Sequence, residues 1–280
     1  MINKEKLKRR FSRNAKQYDQ YAKVQKIMGD TLIAHIKNTG IDFENILEVG
    51  CGTGYVTRAL KKHFKGAKIT AVDIAPGMIE QVKATMNCEE IEFICGDIEE
   101  MILDEKYDLI ISNATFQWFN QLDHTLTKLI KLLDEEGILC FSTFGKNTFC
   151  ELHQSFDKTK DLLKIKEDIS AGQSFYSLEE LQEICKHVVT KNHFKKMEMD
   201  ALEKYEYEYF NGCKDFLYSV KKIGANNSQN NRNKINPDFI EKVIAIYDRD
   251  YLENDQVRAT YNNLFVYMQC KNMDETMTNF

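Results

Sequence analysis

The apolar positions between residues 46 and 144 form short continuous runs, and polar turns and helical segments separate one run from the next. Apolar residues at three- and four-residue spacing predict helices near 53–64, 76–86 and 122–133. Strands that are hydrophobic throughout are buried on both faces, and helices between them make such strands parallel. The pattern therefore predicts an α/β fold with a doubly wound, mostly parallel sheet, whose strands are 46–49, 69–72, 91–94, 107–112 and 138–144.

Two longer segments near the C-terminus have the composition of strands. We expect residues 193–210 and 258–270 to pair as an antiparallel hairpin at the edge of the sheet. The chain between them contains two helical patterns, 213–223 and 237–251, which predict an inserted helical lid. The polar stretch 226–236 is predicted to be a flexible loop of that lid.

The hydrophobic pattern predicts one sheet domain, with further helical segments before and after it in the chain. Residues 4–38 have helical periodicity before the sheet, and 152–165 and 178–187 have it after the last buried strand. With only two prolines in 280 residues, no Pro-rich linker separates these parts. The predicted division is an N-terminal helical cap (1–40), a central ligand-binding sheet (41–145) and remaining edge strands with the helical lid (146–280).

Composition places the protein among soluble globular chains, because 43% of its residues are hydrophobic and 29% are charged. No apolar run approaches the roughly 20 residues that a bilayer requires, so we expect no membrane segment. The eight cysteines form no C-x-x-C pair, and no cluster has metal-ligand spacing. They predict reduced thiols in a cytoplasmic protein, with no metal site.

Charge is distributed unevenly along a chain whose net charge is -5. Residues 1–26 carry nine Lys or Arg and only two acidic residues, and a second basic group consists of Lys221, Lys222, Arg232 and Lys234. Basic patches on an acidic protein indicate an anionic partner, which leaves nucleic acid, a phosphorylated cofactor or an acidic carrier protein. The alternative is a solvated basic terminus with no partner.

The most informative motif joins the first predicted strand to the helix that follows it. Three alternating glycines, Gly50, Gly52 and Gly54, form this turn, and glycine lets a ligand approach the main chain closely. A dinucleotide fingerprint places its third glycine five residues after the first, where this chain has Tyr55. The spacing therefore argues against NAD.

Polar residues follow the next three strands. Asp73 ends the second, where a carboxylate accepts both hydroxyls of a ribose; the alternative role, capping the next helix, is compatible with it. Asp97 and Ile98 follow the third strand, where an acid accepts an adenine amino group unless it is merely solvated, and Asn113 follows the fourth. Ligands of open α/β sheets bind at these carboxyl ends.

These residues together resemble a known fold. The E-x-G-x-G-x-G motif with Asp73, Asp97 and Asn113 resembles the Rossmann-like S-adenosylmethionine-dependent methyltransferases over about residues 40–145. More particular segments extend the resemblance over nearly the whole chain to the malonyl-[acyl-carrier protein] O-methyltransferases of biotin synthesis. Those segments are 11–22, 113–118, 141–145, 172–177 and 222–227.

The resemblance implies methyl transfer from S-adenosylmethionine to the free carboxylate of a malonyl thioester, which primes pimelate synthesis for biotin. Because a carboxylate is already ionised near neutral pH, we expect no general base and no catalytic His or Cys. The resemblance assigns the cofactor to Glu48, Gly50, Cys51, Gly52, Gly54, Asp73, Ile74, Asp97, Ile98 and Asn113.

Four further residues are candidates for contact with the reacting groups. Tyr18 and Tyr21 share one side of the N-terminal helix, which we expect to close over the cofactor. Gln117 and Trp118 are predicted to form the wall of the acceptor pocket. Packing within the core is the alternative role for the two tyrosines and for Trp118.

The resemblance implies a malonyl acyl-carrier protein as partner, and the basic residues become candidates for docking it. Nucleic acid is discounted because no recognition motif accompanies the charge. Two alternatives stay open: methylation of another small acid of the aconitate type, and a protein that binds S-adenosylmethionine without transferring its methyl group.

Overall fold

The structure is a computed structural model that describes residues 1–86, 90–166, 171–194, 197–225 and 236–270. Its helices are α1 (Lys4–Tyr21), α2 (Lys23–Asn38), α3 (Tyr55–His63), α4 (Pro76–Thr85), α5 (Leu122–Lys131), α6 (Cys150–Leu162), α7 (Leu178–Lys191), α8 (Cys213–Lys222) and α9 (Pro237–Asp250). Its strands are β1 (Asn45–Val49), β2 (Lys68–Asp73), β3 (Ile91–Cys95), β4 (Tyr107–Ser112), β5 (Leu133–Phe144), β6 (Met197–Phe210), β7 (Leu252–Glu253) and β8 (Gln256–Cys270).

The strands form one mixed sheet in the order β3-β2-β1-β4-β5-β8-β6. The first five are parallel, whereas β8 is antiparallel to both β5 and β6. The predicted α/β class, the parallel core and the hairpin at the edge are therefore confirmed. The strand order reverses between β1 and β4, which is where doubly wound sheets open a crevice for ligands.

Two apolar layers cover the sheet, because successive side chains of each strand point to opposite faces. Ile46 of β1 packs with α2 and α3 on one face, and Leu47 packs with α5 and α7 on the other; both are fully buried. This continuous burial explains why the strands have no alternation of polar residues.

Two predicted elements differ from the observed ones. The predicted N-terminal helix is two helices, since the backbone leaves the helical region at Ala22. The fifth strand begins at Leu133 rather than 138, because Leu133 pairs with Tyr107 ahead of an irregularity in the ladder. Of the predicted loop 226–236, all but Asn236 lies outside the described residues.

Helix α1 lies across the carboxyl end of the sheet, against α4 and α8. Its start is held by Asn120, whose Oδ1 accepts from Ile2 N (2.6 Å) and whose Nδ2 donates to Ile2 O (3.0 Å). The helix therefore covers the crevice at the switch point. No described helix combines the length and the apolar character needed to cross a membrane.

Candidate active site

The glycine turn forms the floor of the crevice. Gly50 N and Cys51 N both donate to Val72 O (2.7 and 3.0 Å), which draws the turn against β2. Gly50 has φ +78°, and a Cβ there would overlap Thr115. A Cβ on Gly52 would meet no atom within 4 Å, so the main chain at Gly52 borders open space. The turn therefore leaves room for a ligand to lie directly against the main chain.

Asp73 occupies the end of β2 beside the turn. Its Oδ2 accepts from Gly52 N (2.9 Å) and its Oδ1 accepts from Ala75 N (2.8 Å), so it fixes the turn and also the start of α4. Burial raises the pKa of Asp73 to about 6, although the two backbone donors oppose the shift. Each oxygen retains acceptor capacity for a further hydroxyl donor.

Glu48, at the end of β1, and Cys51, within the turn, both line the space above the turn. Glu48 is buried, and no described residue hydrogen-bonds its Oε2. Burial raises the pKa of Glu48 to about 8 and holds that of the Cys51 thiol well above its usual value. A buried carboxyl group with a free oxygen suits a ligand that brings a donor or a positive charge.

The far end of the crevice is lined by Ile74, Asp97 and Ile98, of which Asp97 and Ile98 are the residues predicted to lie near the adenine. Lys4 Nζ lies 3.3 Å from Asp97 Oδ2 and also 2.5 Å from Glu99 Oε2. These ion pairs hold the first turn of α1 against the loop after β3. An apolar slot with acidic residues at its rim has the character that a purine requires.

Asn113 is fixed from two sides at the end of β4. Its Nδ2 donates to Gln25 O of α2 (2.8 Å), and its Oδ1 accepts from Ser142 Oγ of β5 (2.7 Å). The next residue, Ala114, adopts a positive φ of 51°. Asn113 therefore joins α2 to the sheet at the point where the crevice opens.

The structure separates the two predicted tyrosines. Tyr18 borders both the slot at Asp97 and the space above the glycine turn. Burial raises its pKa, and its ring lies 6.3 Å from that of Phe11. Tyr21 lines neither space; its ring lies 6.2 Å from that of Tyr218 on α8. Tyr18 is thus positioned to contact a ligand, and Tyr21 is not brought to the crevice.

A second cavity of about 490 Å³ adjoins the crevice and has mostly aromatic and aliphatic walls. Trp118 lines both spaces, and Gln25 lines the second cavity and the space above the glycine turn. The aromatic residues of its wall are Trp118, Phe144, Phe149, Phe156, Phe175, Phe216 and Tyr261. The two spaces meet at one indole ring.

Gln117 and Trp118 stand in a short 3₁₀ turn (Phe116–Trp118). Gln117 Nε2 donates to Ala114 O (2.6 Å), and Gln117 Oε1 accepts from Thr143 Oγ1 (3.0 Å). The indole of Trp118 is almost fully buried and meets the Phe11 ring edge-on at 5.8 Å. Both residues line the second cavity, and Gln117 also ties the turn to β5; their role in an acceptor pocket stays a prediction.

Several lining residues carry no signal in the sequence. Asp19 accepts from Thr53 Oγ1 (2.7 Å), and Lys26 Nζ donates to Asp19 O (2.7 Å), both above the glycine turn. Their helices reach the turn only through the tertiary fold. The helical spacing placed them on α1 and α2, but nothing local distinguishes them from other charged residues there.

The structure brings part of the predicted basic surface together. Asn14 Nδ2 of α1 donates to Lys221 O (3.3 Å), and Lys222 Nζ donates to Gln17 Oε1 (2.7 Å). The exposed basic residues of α1 stand at helical spacing beside this contact and are Arg9, Arg13 and Lys16. Arg232 and Lys234 lie outside the described residues.

Comparison with known proteins identifies relatives over nearly the full length. A family described as methyltransferase domain matches residues 46–137. A malonyl-[acyl-carrier protein] O-methyltransferase of Acetivibrio thermocellus is 48% identical over 268 residues, covering 95% of this chain and 94% of that protein. The protein of the same name from Priestia megaterium is 45% identical and covers 94% and 97%.

Solved structures with similar folds are more distant in sequence. The YcgJ protein from Bacillus subtilis is 13% identical with a TM-score of 0.57, covering 86% of this chain and 98% of that one. The plantazolicin methyltransferase BpumL in complex with SAH is 15% identical with a TM-score of 0.52, covering 95% and 96%. At such identities the similarity establishes the Rossmann-like fold.

Proposed function

Because this chain belongs to the malonyl-[acyl-carrier protein] O-methyltransferase family, we propose that it transfers the methyl group of S-adenosylmethionine to the free carboxylate of malonyl-acyl-carrier protein. The product is a malonyl methyl ester, which primes pimelate synthesis for biotin. The observation that carries the proposal is the apolar cavity that meets the glycine-floored crevice at Trp118. One space suits a nucleoside and the other an acyl group.

The crevice residues fit the cofactor. Asp73 would accept the ribose hydroxyls, while the open space at Gly52 admits the methionine part beside Glu48. Ile74, Asp97, Ile98 and Tyr18 would enclose the adenosine end. When bound, the sulfonium supplies an electrophilic methyl carbon. A carboxylate oxygen held against this carbon would take the methyl group as the bond to sulfur breaks, and the negative and positive charges would cancel in the ester and thioether products.

The chain's own residues contribute position and exclusion of water. Trp118, whose indole meets the Phe11 ring of α1 edge-on, forms a wall that the two spaces share. Apolar walls strip water from an incoming carboxylate, which makes it a stronger nucleophile than the hydrated ion. The acceptor is ionised at neutral pH, so none of these residues has to remove a proton.

A labelled-methyl assay tests the proposal with three acceptors: malonyl-acyl-carrier protein, malonyl-CoA and free aconitate. We expect a base-labile labelled ester on the carrier protein, weaker labelling of malonyl-CoA, and none of aconitate. Preferred labelling of the free acid would overturn the choice of substrate. Cofactor binding without transfer to any acid would show a binding protein rather than an enzyme.

We propose that the basic face of α1 and α8 docks the acidic carrier protein. Arg9, Arg13 and Lys16 are exposed, and no described carboxylate forms an ion pair with them. They lie beside Lys221 and Lys222. Attraction between opposite charges accelerates association and weakens as salt rises.

Substitution of Arg9, Arg13 and Lys16 by Glu is expected to lower kcat/KM for the carrier substrate about tenfold at low salt. The same substitutions are expected to change kcat/KM for malonyl-CoA by no more than about twofold. Lys37, Lys62 and Lys65 provide a matched reversal, since they are exposed in the segments that lead into the amino ends of β1 and β2. Equal effects of the two triple reversals would exclude docking on this face.

A further inference from the structure

The second cavity is larger than its proposed acid requires. A malonyl group has six non-hydrogen atoms, and six water molecules at ~30 Å³ each occupy about 180 Å³. The cavity measures about 490 Å³. This inference rests on the proposed function, in which the acid reaches the enzyme as a thioester on the pantetheine arm of a carrier. The excess space is enough for a large part of that arm.

The ionisable side chains of the cavity wall suit an occupant that carries a negative charge. Among the described residues that line the cavity, the ionisable ones are His153, Lys221 and Tyr261, and none is a carboxylate. Burial lowers the pKa of His153, so Lys221 is the cation that this lining offers near neutral pH. Gln173 lines the same cavity, and its Oε1 has no described hydrogen-bond partner. An amide oxygen of this kind suits the N–H groups of pantetheine.

Lys221 also stands at the rim. It is exposed to solvent although it lines the cavity, and its carbonyl oxygen is held by Asn14 of α1. No described carboxylate lies within ion-pair distance of its Nζ. The adjacent Lys222 differs, since its Nζ donates to Gln17 and lies 5.0 Å from the centre of the Tyr218 ring.

We infer that the second cavity takes up the pantetheine arm and that Lys221 binds the phosphate which joins this arm to the carrier. The arm enters past Lys221, its amides face the few polar groups of the wall, and its acid reaches Trp118. The phosphate is the one strongly anionic group of the arm, and it stays at the solvent end, where an unpaired lysine meets it.

Two small substrates that lack the carrier protein and differ from each other by one phosphate test this inference. Malonyl-phosphopantetheine and malonyl-pantetheine are compared as acceptors for the wild type, Lys221→Gln and the control Lys214→Gln, which removes an exposed lysine of the same helix. We expect the wild type to favour the phosphorylated substrate about fivefold in kcat/KM. Lys221→Gln is expected to abolish this preference by lowering kcat/KM for the phosphorylated substrate alone. Lys214→Gln is expected to preserve the preference.

Each unfavourable result has a separate meaning. A preference that survives in Lys221→Gln, or that is absent in the wild type, overturns the phosphate site. Equal slowing of both substrates by Lys221→Gln also overturns it, because that pattern reflects a damaged cavity. If the wild type methylates neither thioester nor malonyl-acyl-carrier protein, the proposed function itself fails.

Discussion

At the scale of single residues, the crevice depends most on Asp73. Its two oxygens already accept from Gly52 N and Ala75 N, and the same oxygens border the space where a ribose would lie. One side chain therefore shapes the turn and presents the acceptors. The sequence predicts the ribose contact and a contact at the start of the next helix, but not the contact to Gly52 N; the ribose contact stays a prediction.

We expect Asp73→Asn to weaken S-adenosylmethionine binding about 30-fold, or ~2 kcal/mol, because hydrogen bonds to a charged acceptor are lost. Asp108→Asn is the matched control. Asp108 also accepts from two backbone groups, Glu44 N (2.6 Å) and Asn45 N (3.1 Å), but at the amino end of the sheet. Calorimetry measures both affinities, and equal losses would remove Asp73 from the cofactor site.

The pKa of Asp73 predicts a pH dependence for the same binding. Its carboxyl is raised to about 6 by burial, so it is ionised above that pH and accepts hydroxyl donors best there. Cofactor affinity is expected to be constant near pH 7 and to fall by up to about tenfold per unit below pH 6. Glu48, with a pKa of about 8, stays protonated throughout this range. In Asp73→Asn the fall below pH 6 is expected to disappear, and a wild-type affinity that is flat between pH 5 and 7 would contradict the assignment.

Site residues that directly follow a buried strand could be predicted from the sequence. Site residues that reach the crevice through the packing of a distant helix could not. The glycine turn, Asp73 and Asn113 each follow a buried strand, so the pattern of the chain placed them at one edge. Lys4 and Asp19 reach the site from α1, whose crossing angle no local signal specifies. Tyr21 shares a helix side with Tyr18 by spacing, but α8 packs against it instead.

At the scale of elements, α6 forms one wall of the second cavity and is anchored to β8. Glu151 of α6 is fully buried and accepts from Arg258 Nε (3.0 Å) and from Thr260 N (3.0 Å) and Oγ1 of β8. Arg258 also pairs with Glu253 at the surface (2.7 Å). A buried carboxylate with this number of donors fixes the helix in one position.

Glu151→Ala is expected to lower the free energy of unfolding by about 3 kcal/mol, because it leaves Arg258 and Thr260 N without their buried partner. Urea denaturation measures the change. Glu241→Ala, on the exposed side of α9, should alter the free energy by less than about 0.5 kcal/mol. A loss below about 1 kcal/mol in Glu151→Ala would show that α6 is held by apolar packing alone.

The elements themselves follow the hydrophobic pattern closely, except where tertiary contacts decide a boundary. The pairing of β6 with β8, with two helices inserted between them, was predicted from composition and is confirmed. The break at Ala22 has no proline or glycine to signal it. The division of the chain at residues 40 and 145 stays a prediction, and α1 packs directly on both other parts.

At the scale of the whole molecule, the second cavity is assembled from segments that are distant along the chain. Gln25 of α2, Phe156 of α6, Val243 of α9 and Tyr261 of β8 all line it. No local pattern predicts such a space, and only Gln117 and Trp118 indicated its position. The proposed methyl transfer therefore depends on the relation between two spaces, the crevice proposed for the nucleoside and the apolar cavity, which Trp118 lines together.

Intact-mass spectrometry of the carrier protein tests that relation most directly. Malonyl-acyl-carrier protein is incubated with the enzyme and S-adenosylmethionine, with acetyl-acyl-carrier protein as the acceptor that lacks a free carboxyl. We predict that the malonyl carrier gains the mass of one methylene group and that the acetyl carrier is unchanged. An unmodified malonyl carrier, or equal modification of both carriers, would contradict the assignment of the cavity to a carboxylate acceptor.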